Sequence, residues 1–182
     1  MRTSFLKSCA HQAKSLAVFL FLFSAAPSLS RGRAPDQTSS SPNIRPELNL
    51  KALAGPLQDL TPEDRKVVDE AVRLIHDNRD ADALTSLTNL TRTNSKNSTI
   101  RVLRAYALLE LGNFTGALND ATIAENAGIP APYKCWFLAQ VAYLAGNKPL
   151  CRREIKHVTF DATYGPKAKQ LQNTLNAQAK SK

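Results

Sequence analysis

From Thr61 onward, apolar residues recur at intervals of three and four, the spacing of one face of an α-helix, and no alternating strand pattern appears. Val67, Val68, Ala71, Val72, Leu74 and Ile75 line a first predicted helix, and Leu84, Leu87 and Leu90 a second. Val102, Leu103, Ala105, Tyr106, Leu108 and Leu109 mark a third; Ala117, Leu118, Ala121, Ile123 and Ala124 a fourth. A fifth starts at Pro132 and carries Trp136, Phe137, Leu138, Val141 and Leu144, and a sixth runs from about Pro149 to His157. Thr61 can cap the first helix through its hydroxyl, Pro62 suits the first helical position, and Glu63 and Asp64 favour the positive helix end. The breaks are short (Asp77-Asn78, Gly112-Asn113, Gly146-Asn147), so six helices make three antiparallel hairpins. After Tyr164-Gly165-Pro166, the stripe Ala168, Leu171, Leu175 and Ala179 predicts a last helix, apolar on one face, that closes the open end.

The hairpins are in register at thirty-four residues. Ala71, Ala105 and Ala139 share one place, Asn78, Gly112 and Gly146 the turn, and Ala83, Ala117 and Cys151 a place in the second helices. Leu87, Ala121 and Ile155 follow, then Leu90, Ala124 and Val158. A small residue midway along one helix lets its partner approach, and a residue tolerating positive φ makes the sharp turn. This period and these positions resemble the tetratricopeptide repeat family over roughly residues 64–165. The middle unit matches best, with Ala105, Leu111-Gly112-Asn113-Phe114, Ala117 and Ala124. The first departs, with Asn78 for the turn glycine and Asp80 for the aromatic after it. In all three, the early tryptophan is replaced, by Val67, Arg101 and Cys135, with Trp136 one residue off. The expected fold is therefore all-α: a tetratricopeptide-like solenoid of about three helix pairs (about 64–97, 98–131 and 132–165) with a C-terminal capping helix and tail over 166–182.

The N-terminal third reads differently. Arg2, Lys7 and Lys14 form a positive zone, residues 16–23 a dense apolar stretch, and residues 24–30 a small-residue exit, the layout of a secretory signal peptide over 1–30. Uncharged sequence spans only residues 15–30, short of the roughly 20 residues of a membrane span. The expected location is outside the cytoplasm, periplasmic or extracellular, with anchorage by an uncleaved leader as the alternative. Cys9 would leave with the leader. Residues 31–60, with Pro35, Pro42, Pro46, Pro56 and the run Ser39-Ser40-Ser41, have the composition of a disordered spacer. A short docked helix carrying Leu48, Leu50, Leu53 and Leu57 is the other option.

Charge and chemistry alter this picture little. The net charge is +9; beyond the first thirty residues 21 basic face 15 acidic residues, a net +6 that favours solubility and does not by itself identify nucleic acid. Only His76 and His157 follow the leader, neither in a metal-spaced cluster, and there is no phosphate-cradling loop or nucleophile elbow. The expectation is a non-catalytic chain without cofactor or metal. Cys135 and Cys151 fall on the two helices of the third hairpin, and a disulfide is conceivable. The antiparallel register nevertheless offsets them by about one turn, ~5 Å, which favours two small buried residues. Asn89, Asn97 and Asn113 start glycosylation-type triplets, read as chance in an Asn/Thr-rich chain.

The resemblance implies that first helices line a concave surface gripping a peptide or partner segment. Mapped here, that groove comprises Val68, Val72, Val102, Tyr106, Leu109, Tyr133, Trp136, Gln140 and Tyr143, with Arg65 and Arg101 nearby. The expected partner is another protein or peptide, as in adaptors, scaffolds or assembly factors of the cell envelope. A self-associating structural repeat and an accessory subunit of an envelope hydrolase are the rival readings.

Overall fold

The computed structural model describes residues 44–125 and 128–180. The expected leader at 1–30 and residues 31–43 of the expected spacer lie outside them. Among the described residues all regular structure is helical: α1 (Leu50–Leu53), a 3₁₀ turn (Gly55–Asp59), α2 (Pro62–His76), α3 (Asp80–Thr93), α4 (Ser98–Glu110), α5 (Phe114–Ala124), α6 (Ala131–Leu144), α7 (Lys148–Val158) and α8 (Gly165–Lys180). No described helix is long and apolar enough to cross a membrane.

Local chemistry sets the helix ends. Thr61 accepts from the Asp64 N–H at 3.1 Å and caps α2. Asn97, Asn113 and Asn147 do the same for α4, α5 and α7 through bonds to Ile100, Gly116 and Leu150. Three turns share one geometry. Asn78, Gly112 and Gly146 sit at φ 57°, 77° and 72°. In each, the next residue's N–H reaches back five positions (Arg79 to Leu74, Asn113 to Leu108, Asn147 to Ala142, all 2.8 Å), which satisfies a carbonyl that the helix end would strand.

Each of α2 to α8 packs on its neighbours in the chain, and α2 also touches α4. Ala71, Ala105, Ala139, Ala83, Ala117 and Cys151 are all fully buried, so the small side chains of the repeat positions lie in the core. Val67 and Ile123, expected on packed faces, are 37% and 39% exposed. Along α8, Ala168, Leu171 and Leu175 are buried against the preceding helices while Ala179 is exposed, so the capping stripe ends one turn early.

The expected disordered spacer is corrected from Ile44 on. Residues 44–60 lie against the helices, with Leu53 and Leu60 in the core and Ile44, Leu48, Ala52 and Leu57 packed at its edge. Composition misleads here because backbone groups, rather than a periodic apolar face, hold much of this segment. Thr99 donates to the Leu53 carbonyl at 2.6 Å, Asn97 to Pro56 at 2.7 Å, and Arg65 to Leu57 at 3.0 Å.

Candidate peptide-binding groove

The groove is built on α6. Tyr133 and Gln140, seven residues apart, are each only 2% exposed and stand on one helical face. Pro46 restricts Arg45 to extended backbone and fixes its own φ, so the chain before α1 enters extended, as a lone strand with no β-partner among the described residues. In a strand, the carbonyl of one residue and the N–H two residues on point the same way. Gln140 uses that geometry: its Nε2 donates to the Arg45 carbonyl at 3.2 Å, and its Oε1 accepts from the Glu47 N–H at 3.4 Å. Tyr133 repeats the grip one step on, donating to the Glu47 carbonyl and accepting from the Asn49 N–H, both at 3.2 Å. These contacts address only backbone atoms, so they carry no preference for side chains.

Asn49 is the pivot between strand and helix. Its Oδ1 caps α1 by accepting from Ala52, and its Nδ2 donates to the Tyr164 hydroxyl at 2.9 Å. Tyr164 stacks on Trp136 at 6.2 Å and tilts against Tyr133 at 6.3 Å; Tyr133 in turn meets Phe137 at 6.1 Å. Burial pushes the Tyr133 hydroxyl up to about 12. Charged walls flank the strand. Arg45 Nε lies 2.9 Å from Glu110 Oε1 on α4, and Glu47 pairs with Lys167 on α8. Tyr106 is also raised, by burial first and then by the charge of Glu110.

Two clefts border the strand. One, of about 230 Å³, lies between it and α6 and α8, lined by Ile44, Trp136, Gln140, Lys167, Gln170 and Leu171 among others. The second, of about 420 Å³, is lined by Arg45, Leu48 and Leu50 with Val72, Ile75 and Tyr106. Trp136 is 4% exposed, and its indole N–H has no acceptor among the described residues.

Of the residues expected to line the groove, Tyr106, Tyr133, Trp136 and Gln140 come together around the strand. Val68, Val102 and Leu109 are buried in the core, and Val72 lies at the cleft edge. Tyr143 faces α8 instead, accepting from Gln178 at 2.9 Å. Arg65 holds the Leu57 carbonyl from the side. Arg101 is not in the groove: it binds Asp120 on α5 at 2.8 Å and the Ser95 carbonyl at 3.1 Å. Arg104 grips the same carboxylate through two 2.6 Å bonds, so the fully buried Asp120 draws both guanidinium groups to the α4–α5 contact. Glu110, Tyr164, Lys167 and the strand itself were missed; the Arg45-Pro46 step and the capping Asn49 were their only local signals.

Cys135 and Cys151 are free and buried rather than bridged. Burial pushes their thiols up to about 11 and about 12; beside Cys135, Glu154 adds to the shift. His76 is almost wholly solvated and His157 exposed. Among the described residues, no group of three or more His, Cys, Asp or Glu side chains is placed to hold a metal. Asn97 and Asn113 are engaged as helix caps.

No family model, curated protein or solved structure matches this chain.

Proposed function

We propose that this chain is a non-catalytic protein-interaction module of tetratricopeptide-like design. It acts outside the cytoplasm behind a signal peptide and grips an extended partner segment in the groove on α6. The thirty-four-residue recurrence of left-handed turns at Asn78, Gly112 and Gly146, each followed by a five-residue back-bond, supports the repeat reading. The charged, apolar and small-residue zones of residues 1–30 support export.

One observation carries the binding reading: Gln140 and Tyr133 present polar groups, buried in the groove floor, to alternate backbone positions of a strand. Buried polar groups cost free energy unless paired. A floor that places them at the repeat of an extended chain is suited to holding such a chain whatever its side chains. The mechanism is recognition without a covalent step.

A random-peptide library panned against the full chain tests this. Selected peptides should weaken amide protection at Glu47 and Asn49, and should fail against Gln140→Leu. Peptides that bind Gln140→Leu equally well, or that leave those amides untouched, refute the groove.

A further inference from the structure

The strand that fills the groove is held differently from the chain that follows it. Within 44–49 only Pro46 is buried, and Arg45 and Glu47 hold their partners through side chains 60% and 45% exposed. Ion pairs this exposed are weak and salt-screened. Side chains grip the backbone on both sides of Leu50, Tyr133 and Gln140 before it and Thr99 and Asn97 after it, but only after it do leucines enter the core, Leu53 and Leu60 at 1% and 6% exposure. Asn49 marks the boundary. Segments with few buried apolar contacts open locally while the rest of a fold stays closed.

The groove also offers more than this strand uses. Its backbone grips are blind to sequence, but its walls are not: Glu110 faces one position and Lys167 the position two residues later. Alongside runs the 230 Å³ cleft, with Trp136 in its lining and the indole N–H buried without an acceptor among the described residues.

We propose that residues 44–49 are an exchangeable internal ligand. The segment replacing them is an extended stretch of another protein with a basic residue facing Glu110 and an acidic residue two positions on facing Lys167. The proposal rests on the groove reading above and adds the partner's chemistry to it. The internal strand supplies both features but leaves the 230 Å³ cleft beside it unfilled, so a segment that matches both charges and also packs into that cleft displaces it. Because the strand is continuous with α1, it competes at high effective concentration, and a segment matching it only partly is rejected.

The full chain with Arg45→Glu and Glu47→Lys sets like charges against Glu110 and Lys167 and loosens the strand. Pro46→Gly loosens it without touching a charge. Each variant is titrated with a synthetic peptide of residues 43–50, and with the same peptide with its arginine and glutamate exchanged. Trp136, the chain's only tryptophan, reports by its emission, and circular dichroism checks the fold.

The native-order peptide should saturate, shift the Trp136 emission, and bind at least tenfold tighter than the exchanged one. Equal binding of both overturns the charge pattern and leaves the groove reading standing. No binding of either, with amide exchange showing 45–49 open, overturns both. Amides of 45–49 that stay protected in both variants overturn exchangeability. A dimer with exchanged strands, seen by light scattering, makes a second copy the occupant and overturns the foreign partner.

Discussion

Removing one oxygen from the groove floor separates the strand's energetics from those of the core. Tyr133→Phe keeps the ring against Phe137 and Tyr164 and deletes the hydroxyl that accepts from Asn49 and donates to Glu47. Each such bond contributes about 0.5–1.5 kcal/mol net. Losing two therefore shifts the docked strand by about 1–3 kcal/mol, roughly a 5- to 150-fold rise in its open fraction. Amide hydrogen exchange by NMR resolves the site. The Asn49 N–H loses its acceptor directly and should exchange faster by about that factor. The Glu47 N–H keeps Gln140 as its acceptor and should follow only as far as the strand opens as a unit. Core amides of α4 and α6 should keep their protection to within a few-fold. Unchanged Asn49 protection, or an equal loss spread through α6, would refute the reasoning.

Other perturbations probe the frame. Asp120→Ala leaves Arg101 and Arg104, 13% and 18% exposed, without their anion and should cost about 3–5 kcal/mol in urea unfolding; a loss under 1 kcal/mol would contradict the α4–α5 assignment. Gly146→Ala meets no atom within 4 Å, so only its left-handed backbone resists, and about 1–2 kcal/mol is expected; a neutral result would place that turn elsewhere. Tyr133 carries a pKa raised to about 12 from 10, so its contribution is complete below pH 10 and is lost as pH rises towards 12. Stability measured across that window should fall less in Tyr133→Phe. Cys135 and Cys151, held at about 11 and about 12, should resist iodoacetamide at pH 8 in the folded chain and react in urea, as mass spectrometry would show.

How far the sequence speaks depends on the range of the force involved. Helix ends were legible because caps and left-handed turns are decided within five residues: Thr61, Asn78, Gly112 and Gly146 each do their work locally. The groove floor was half legible. The repeat resemblance mapped Tyr133, Trp136 and Gln140 to one surface with Arg101 nearby; the first three lie around residues 44–49, but Arg101 turns away, because a buried anion 19 residues on outcompetes that surface. The strand was illegible as an ordered element. Its bonds to Gln140 and Tyr133 span 84 to 95 residues and use backbone atoms, which every sequence possesses. Proline-rich composition signalled a lack of periodic apolar surface, and that was accurate; it could not signal that a distant helix would supply the hydrogen bonds.

The burial of Leu53 and Leu60 moves the minimal folding unit upstream of where the helical pattern starts. Trimming the chain to begin at Thr61, the natural cut on hydrophobic periodicity, strips two leucines worth about 1.5–3 kcal/mol each. It also bares the apolar cleft beside Val68, Val72 and Leu103. A fragment starting at Ile44 keeps both leucines, the Asn49 cap of α1 and the partners of Tyr133 and Gln140, so a cut ahead of Ile44 is tolerated far better than one at Thr61.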